Sequence, residues 1–101
     1  MTQFVGAFFS ALLLFNAIPH LVQGICGNRH MSPFSAKSHP VTNVIWGWIN
    51  LVAGVWLGRA CHWGSWDVSQ WVAFAAGGLL VSVYLAAFWS NPDARLPWHK
   101  T

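Results

Sequence analysis

The sequence is poor in charged residues. Two acidic and five basic side chains make up 7% of its 101 residues. A soluble domain carries about 25% charged residues, so this chain has too little charge to cover a water-exposed surface. Its basic residues are also not clustered, as they would be in a nucleic-acid-binding protein. The composition therefore excludes a soluble enzyme, a nucleic-acid binder and a disordered chain.

Cysteine is nearly absent, and the arrangements typical of covalent catalysis are missing. The only cysteines are Cys26 and Cys61. We expect them at opposite faces of a membrane, which excludes a disulfide between them. No pairing of a nucleophile with a base is evident in the sequence. The sequence therefore gives no positive indication of an enzyme and leaves that question open.

The few charges leave three long uncharged runs, at 1–28, 38–58 and 68–92. A membrane-spanning helix needs about 20 mostly apolar residues, and each run is long enough. The pattern predicts an all-α membrane protein with three transmembrane helices, at about 3–25, 41–58 and 67–90. Ser65 or Asp67 is the expected N-cap of the third helix. We expect one three-helix domain over 1–101, with an inner loop at 27–40 and a short tail at 91–101.

A proline falls inside the first predicted helix. The apolar stretch 4–15 is too short to span a membrane, so the helix must continue through Pro19. Proline leaves the carbonyl of Phe15 without its helical hydrogen bond and usually bends a helix. We therefore expect a kink at Pro19 and a polar break at 16–20 in the inner half of the membrane.

Basic residues near the predicted span ends favour one orientation. Arg29, Lys37, Arg95 and Lys100 lie on the side of the inner loop and the tail, and Arg59 alone lies on the other side. The positive-inside rule then places the N-terminus outside and the C-terminus in the cytoplasm.

The eight tryptophans fall near the predicted span ends, as in an aromatic belt at the membrane interfaces. The inner group is Trp46, Trp48, Trp89 and Trp98, and the outer group is Trp56, Trp63, Trp66 and Trp71. This placement favours an anchoring role over a ligand platform.

Small and polar residues form stripes at helical spacing. One face of helix 2 carries Asn43, Gly47, Asn50, Gly54 and Gly58, and helix 1 carries Asn16, His20 and Gln23 at the same intervals. Small residues let helix backbones approach closely, and amides can hydrogen-bond across the contact. In an antiparallel pair we expect Asn16 to meet Asn50, with His20 opposite Gly47 and Gln23 near Asn43. Helix 3 offers Gly77, Gly78 and Ser82 as its packing residues.

The polar groups of these stripes are the candidate ligand-binding residues: Asn16, His20, Gln23, Asn43 and Asn50. Two interpretations remain open, namely amides that hold the helices together and a ligand or proton site. His20 is the only ionisable group predicted inside a span, and it could be a core residue, a metal or haem ligand, or a proton relay. The loop histidines His30 and His39 match no zinc spacing, so the sequence assigns no metal and no cofactor. A bis-histidine haem would need a second histidine from another copy or a partner protein.

Several short motifs resemble a group of small, uncharacterised bacterial polytopic membrane proteins. The motifs are NAIPH at 16–20, Gly24, Gly27, SPF at 32–34 and VIWGWINL at 44–51, within roughly residues 14–58. The resemblance implies a similar architecture and a bacterial inner membrane, and it implies no activity.

Three classes of function remain. The first is a small accessory subunit or scaffold that packs through its small-residue stripes into a larger membrane complex or a homo-oligomer. The second is a binding protein for a lipid, quinone, pigment or haem at the polar break of Asn16, His20 and Asn50. The third is an oligomeric small transporter or a membrane enzyme. The expected partners are the lipid bilayer and other membrane subunits or further copies of the chain, and no nucleic acid is expected.

Overall fold

The computed structural model describes residues 2–91 and 96–97. It contains three long helices, α1 (Thr2–Ile25), α2 (Pro40–Ala60) and α3 (Val68–Trp89), and a short 3-10 turn at Trp63–Ser65. Each long helix is long and apolar enough to cross a membrane. The predicted all-α membrane fold is confirmed, and every helix end lies within two residues of its predicted position. The predictions for Arg95, Trp98 and Lys100 fall outside the described residues.

The first helix is continuous through Pro19 and lies between the other two. Its buried face follows Gly6, Ser10, Ala17, His20 and Gly24. These residues share one side of the helix, and most are small enough for a neighbouring backbone to approach. The helix α3 packs mainly on α1, and the molecule measures 44 × 23 × 23 Å.

Local signals set the start of α3. The Asp67 carboxylate accepts hydrogen bonds from the backbone N–H groups of Ser69 and Gln70, and the Gln70 side chain accepts from the Asp67 N–H in return. This capping box decides between the two N-caps that the sequence left open. Hydrogen bonds from the Ser69 hydroxyl and from the Gln70 backbone lower the pKa of Asp67.

A β-hairpin occupies the loop between α1 and α2, where the sequence predicted only an irregular segment. The antiparallel strands β1 (His30–Ser32) and β2 (Ser35–Ser38) pair His30 with Ser38 and Ser32 with Ser35. The Ser32 and Ser38 hydroxyls share a hydrogen bond, and the hairpin buries Met31. Strands this short carry no readable alternation, which is why the sequence did not reveal them.

A glycine reverses the chain between α1 and the hairpin. Gly27 adopts a φ of 75°, its N–H donates to the Gly24 carbonyl, and the Asn28 N–H donates to the Gln23 carbonyl. Those two bonds form a Schellman motif, which suits a glycine at this left-handed position. The chain is thereby turned back toward the helices before it enters the hairpin.

Candidate functional site

Three hydrogen bonds join α1 to α2 along their length. The Ser10 hydroxyl donates to the Gly54 carbonyl at 2.8 Å. The Asn16 amide nitrogen donates to Asn50 Oδ1 at 3.2 Å, as the spacing predicts. His20 Nδ1 lies 2.8 Å from Asn43 Oδ1. These contacts satisfy polar groups that would be costly to leave unpaired in a membrane.

Asn43 connects α2 to both α1 and the hairpin. Its side chain is 0% exposed. Its amide nitrogen donates to the carbonyls of His30, at 2.8 Å, and Ser38, at 3.3 Å, and its oxygen faces the His20 ring. The amide thus has all its donors used within the protein. We assign Asn43 a positioning role, because its polar atoms are occupied by the fold.

The contacts of Asn43 fix the protonation of the His20 ring. Backbone carbonyls only accept hydrogen bonds, so the NH₂ group of Asn43 must face the two carbonyls. The side-chain oxygen of Asn43 then faces His20. The neutral His20 ring therefore carries its proton on Nδ1 and donates to that oxygen. Nε2 is then left with a lone pair, as a hydrogen-bond acceptor.

The same reasoning orients Asn16. The Asn50 amide nitrogen donates to the Trp46 carbonyl at 2.9 Å, so Asn50 presents its oxygen to Asn16. Asn16 consequently uses its NH₂ group toward Asn50. Its Oδ1 is left as a second acceptor.

Two of the predicted pairings differ from the structure. Gln23 does not meet Asn43; its side chain accepts a hydrogen bond from Asn28 at the exposed end of α1. The reason is that the buried face of α1 passes from His20 to Gly24, which leaves Gln23 at its edge. Gly47 lies against Leu21 and not His20, because the imidazole reaches Asn43 instead.

A cavity of about 150 Å³, open on one side, lies at the end of the helix bundle that carries the hairpin, which the sequence predicts to be the inner end. We call it the inner cleft. Its walls come from α1, the hairpin, α2, α3 and the segment after α3: Asn16, His20, Met31, Ser32, Pro33, Trp46, Tyr84, Leu85, Phe88, Trp89 and Leu96. Among these lining residues none is charged at neutral pH, and four are aromatic besides the histidine. Such an apolar cavity with a few polar groups is typical of a small-molecule site.

Two of the predicted belt tryptophans take part in this cleft. Trp46 and Trp89 line it, whereas Trp48 and Trp56 are exposed as belt residues should be. The Trp89 ring lies 4.3 Å from the His30 ring and 6.0 Å from the His20 ring. Position near a span end was thus not sufficient to separate an anchor from a cleft residue.

His30 is the functional candidate that the sequence missed. The hairpin brings its ring to 5.3 Å from that of His20, although the sequence placed His30 in a loop with no assigned role. Burial, and next the nearby His20, lower the pKa of His30. Within residues 2–91 and 96–97, His30 Nε2 and Trp89 Nε1 are buried without a hydrogen-bond partner. Buried polar groups of that kind are uncommon and indicate a ligand or water.

The two histidines do not form a recognisable metal or haem site. At 5.3 Å between ring centres, they leave no room for a porphyrin between them. In the part of the chain that the structure describes, no three histidine, cysteine or acidic side chains are grouped to hold a metal ion. Both cysteines are free thiols.

The glycine stripes are covered within the chain itself. Gly54 lies against Leu14, Gly58 against Trp63, Gly77 against Phe8 and Gly78 against Phe15. Ser82, in contrast, is exposed at the edge of the contact between α1 and α3. The glycines therefore do not present a free surface for another subunit, which removes the observation that favoured assembly through these stripes.

No family model, curated protein or solved structure matches this chain. The function must therefore be argued from the geometry of the inner cleft.

Proposed function

We propose that this protein is a membrane-embedded binding protein for a small amphipathic molecule, with the inner cleft holding an uncharged polar head. The observation that carries the proposal is the pair of buried, unpartnered nitrogens, His30 Nε2 and Trp89 Nε1, on adjacent rings, of which Trp89 lines the cleft. An unpaired buried polar group costs about 1–3 kcal/mol, which a bound ligand would recover.

The size and shape of the cleft support an amphiphile. A volume of about 150 Å³ suits a head group and is too small for a whole lipid. The cleft is open on one side. The helix α3, which supplies part of its wall, also carries exposed apolar residues such as Leu80 and Val83. A tail would then extend along the apolar outer face of α3.

The placement in the cell is also part of the proposal. We propose a bacterial inner membrane, with the N-terminus outside and the cleft in the cytoplasmic leaflet. Arg29 and Lys37 support it, because Arg29 directly precedes the hairpin and Lys37 lies in its second strand, at the cleft end of the bundle. An impermeant thiol reagent should label Cys61 in intact cells and Cys26 only after lysis. Labelling of Cys26 from outside would contradict this orientation.

The ligand is tested by co-purification from the native membrane. The protein is extracted in a mild detergent, and its bound molecules are identified by mass spectrometry and by a visible absorption spectrum for pigment or haem. The variant Leu85→Trp fills the cleft with a larger side chain. The matched control is Val72→Trp, which adds the same indole to an exposed position near the opposite end of the same helix.

We expect one amphiphile to be enriched with the parent and with Val72→Trp, and to be lost from Leu85→Trp. Equal lipid profiles for all three proteins would contradict binding in the cleft. A circular dichroism spectrum of Leu85→Trp that matches the parent shows that the loss does not come from unfolding.

The role as an accessory subunit or homo-oligomer stays a prediction, tested by particle mass in mild detergent. The variant Gly54→Leu would not test it, because Gly54 packs against Leu14 of the same chain. A substitution on the exposed face of α3, such as Leu79→Trp, is the appropriate one.

A further inference from the structure

We infer that the head group bound in the inner cleft carries a hydroxyl, as in an alcohol or a phenol. This inference deepens the proposed function and rests on it. It follows from which atoms of the cleft can donate a hydrogen bond and which can only accept one.

Two of the polar side chains that line the cleft are fixed as acceptors. His20 must hold its proton on Nδ1, because Asn43 presents its oxygen there, so Nε2 accepts. Asn16 must use its NH₂ group toward Asn50, so Oδ1 accepts. A ligand that meets both atoms must bring a hydrogen-bond donor.

The indole of Trp89, which also lines the cleft, is fixed as a donor. An indole nitrogen has a hydrogen and no lone pair available for hydrogen bonding, so Trp89 Nε1 can only donate. It is buried, and no acceptor for it lies within the described residues. A ligand that satisfies it must bring an acceptor. His30 Nε2, on the adjacent ring, can take either role according to the tautomer.

A hydroxyl is the simplest group that donates and accepts at one atom. Phosphate or carboxylate heads fit less well, because two acceptors would face an anion and none of the cleft residues is cationic at neutral pH. A quaternary ammonium could lie against the aromatic rings of Trp46 and Tyr84. It would, however, leave the Trp89 donor without an acceptor.

The test uses probes that share one apolar body and differ in the head. These are 4-octylphenol, its methyl ether 4-octylanisole, and 4-octyl-N,N,N-trimethylanilinium. The ether keeps the oxygen acceptor and removes the donated hydrogen. Affinities are measured by NMR titration of the full chain in detergent micelles, following the indole N–H of Trp46, which lines the cleft.

We expect the phenol to bind about tenfold more tightly than the ether, since the ether leaves the acceptors of the cleft unpaired. Equal binding of phenol and ether would overturn the hydroxyl inference and leave the proposed function standing. If the anilinium probe binds most tightly, the inference of a hydroxyl is wrong and the head group is cationic. Binding of none of the probes would overturn the hydroxyl inference, and the co-purification experiment decides separately whether the cleft binds another amphiphile.

A pair of variants separates the donor from the acceptors. Trp89→Phe removes the indole N–H, so it should weaken the phenol and the ether alike and preserve the ratio between them. Trp48→Phe is the matched control, since Trp48 is exposed and is not among the lining residues. We expect it to leave both affinities unchanged. If Trp89→Phe also leaves them unchanged, the indole does not bind the head group.

Discussion

The two interfaces of α1 are built differently. Toward α2, small residues alternate with Ser10, Asn16 and His20, and each of these side chains makes an interhelical hydrogen bond. Toward α3, one glycine meets the backbone and the other the ring of a phenylalanine of α1, and no interhelical hydrogen bond joins α1 and α3 within the described residues. Close packing alone holds the second interface together.

This difference explains why the cleft lies where it does. At the inner end, the polar contacts of α1 are directed to α2 and to the hairpin through Asn43. The α3 side supplies Trp89, whose indole N–H finds no acceptor there. The cleft is thus bounded by a hydrogen-bonded wall and an apolar wall, and only the first fixes the orientation of its polar atoms.

The largest effect is expected where a glycine of α1 lies against the backbone of α2. A Cβ on Gly24 would lie 2.7 Å from the Pro40 carbonyl oxygen and 2.9 Å from the Val44 backbone nitrogen. Backbone atoms cannot move aside, so Gly24→Ala should lower the free energy of unfolding by about 3 kcal/mol. Denaturation in micelles measures it. Gly64→Ala is the control, because a Cβ there meets nothing within 4 Å. Equal effects of the two substitutions would contradict the close approach.

The next effect concerns the connection of the hairpin to the helices. Asn43→Ala leaves the His30 and Ser38 carbonyls and His20 Nδ1 without their partner. We expect a loss of about 2 kcal/mol in the free energy of unfolding and faster amide hydrogen exchange in the hairpin. Asn28→Ala, which removes only an exposed hydrogen bond to Gln23, should change neither. Unchanged exchange in Asn43→Ala would show that Asn43 does not hold the hairpin.

A glycine that faces a side chain should tolerate the same change better than one that faces a backbone. A Cβ on Gly78 would meet the ring of Phe15, at 2.7 Å from Cε2, and a ring can shift where a backbone cannot. Gly78→Ala should therefore cost about 1 kcal/mol, clearly less than Gly24→Ala. The same denaturation measurement decides it. A larger loss at Gly78 would contradict the difference between a backbone contact and a ring contact.

The smallest expected effect is a dependence of the stability on pH. Burial and the nearby His20 lower the pKa of His30, so the folded protein takes up this proton at a lower pH than an exposed ring would. The contribution of the neutral His30 ring to the stability of the fold is therefore complete above the ordinary pKa of 6.5, and it is lost as the pH falls below that value. Hydrogen exchange of the hairpin should quicken over that range. His30→Phe should abolish this part of the dependence, and an unaltered profile would contradict the assignment.

The sequence predicted the spans because long uncharged stretches can be recognised without any knowledge of the tertiary structure. It also predicted the contact of Asn16 with Asn50, since both lie near the middle of antiparallel helices. It missed His30, because a short hairpin has no periodicity and its docking depends on Asn43, thirteen residues away. It did not reveal that Trp89 lines the cleft, because an anchor and a cleft residue can occupy the same depth in the membrane.

The most direct test of the proposed site is the ¹⁵N spectrum of the His20 ring, with and without 4-octylphenol. The signal is assigned by comparison with the spectrum of His20→Gln. The structure predicts a proton on Nδ1 and a bare Nε2, and it predicts that the probe shifts Nε2 toward lower frequency while Nδ1 barely moves. A proton on Nε2, or an Nε2 signal that does not shift when the probe is added, would contradict the proposed site.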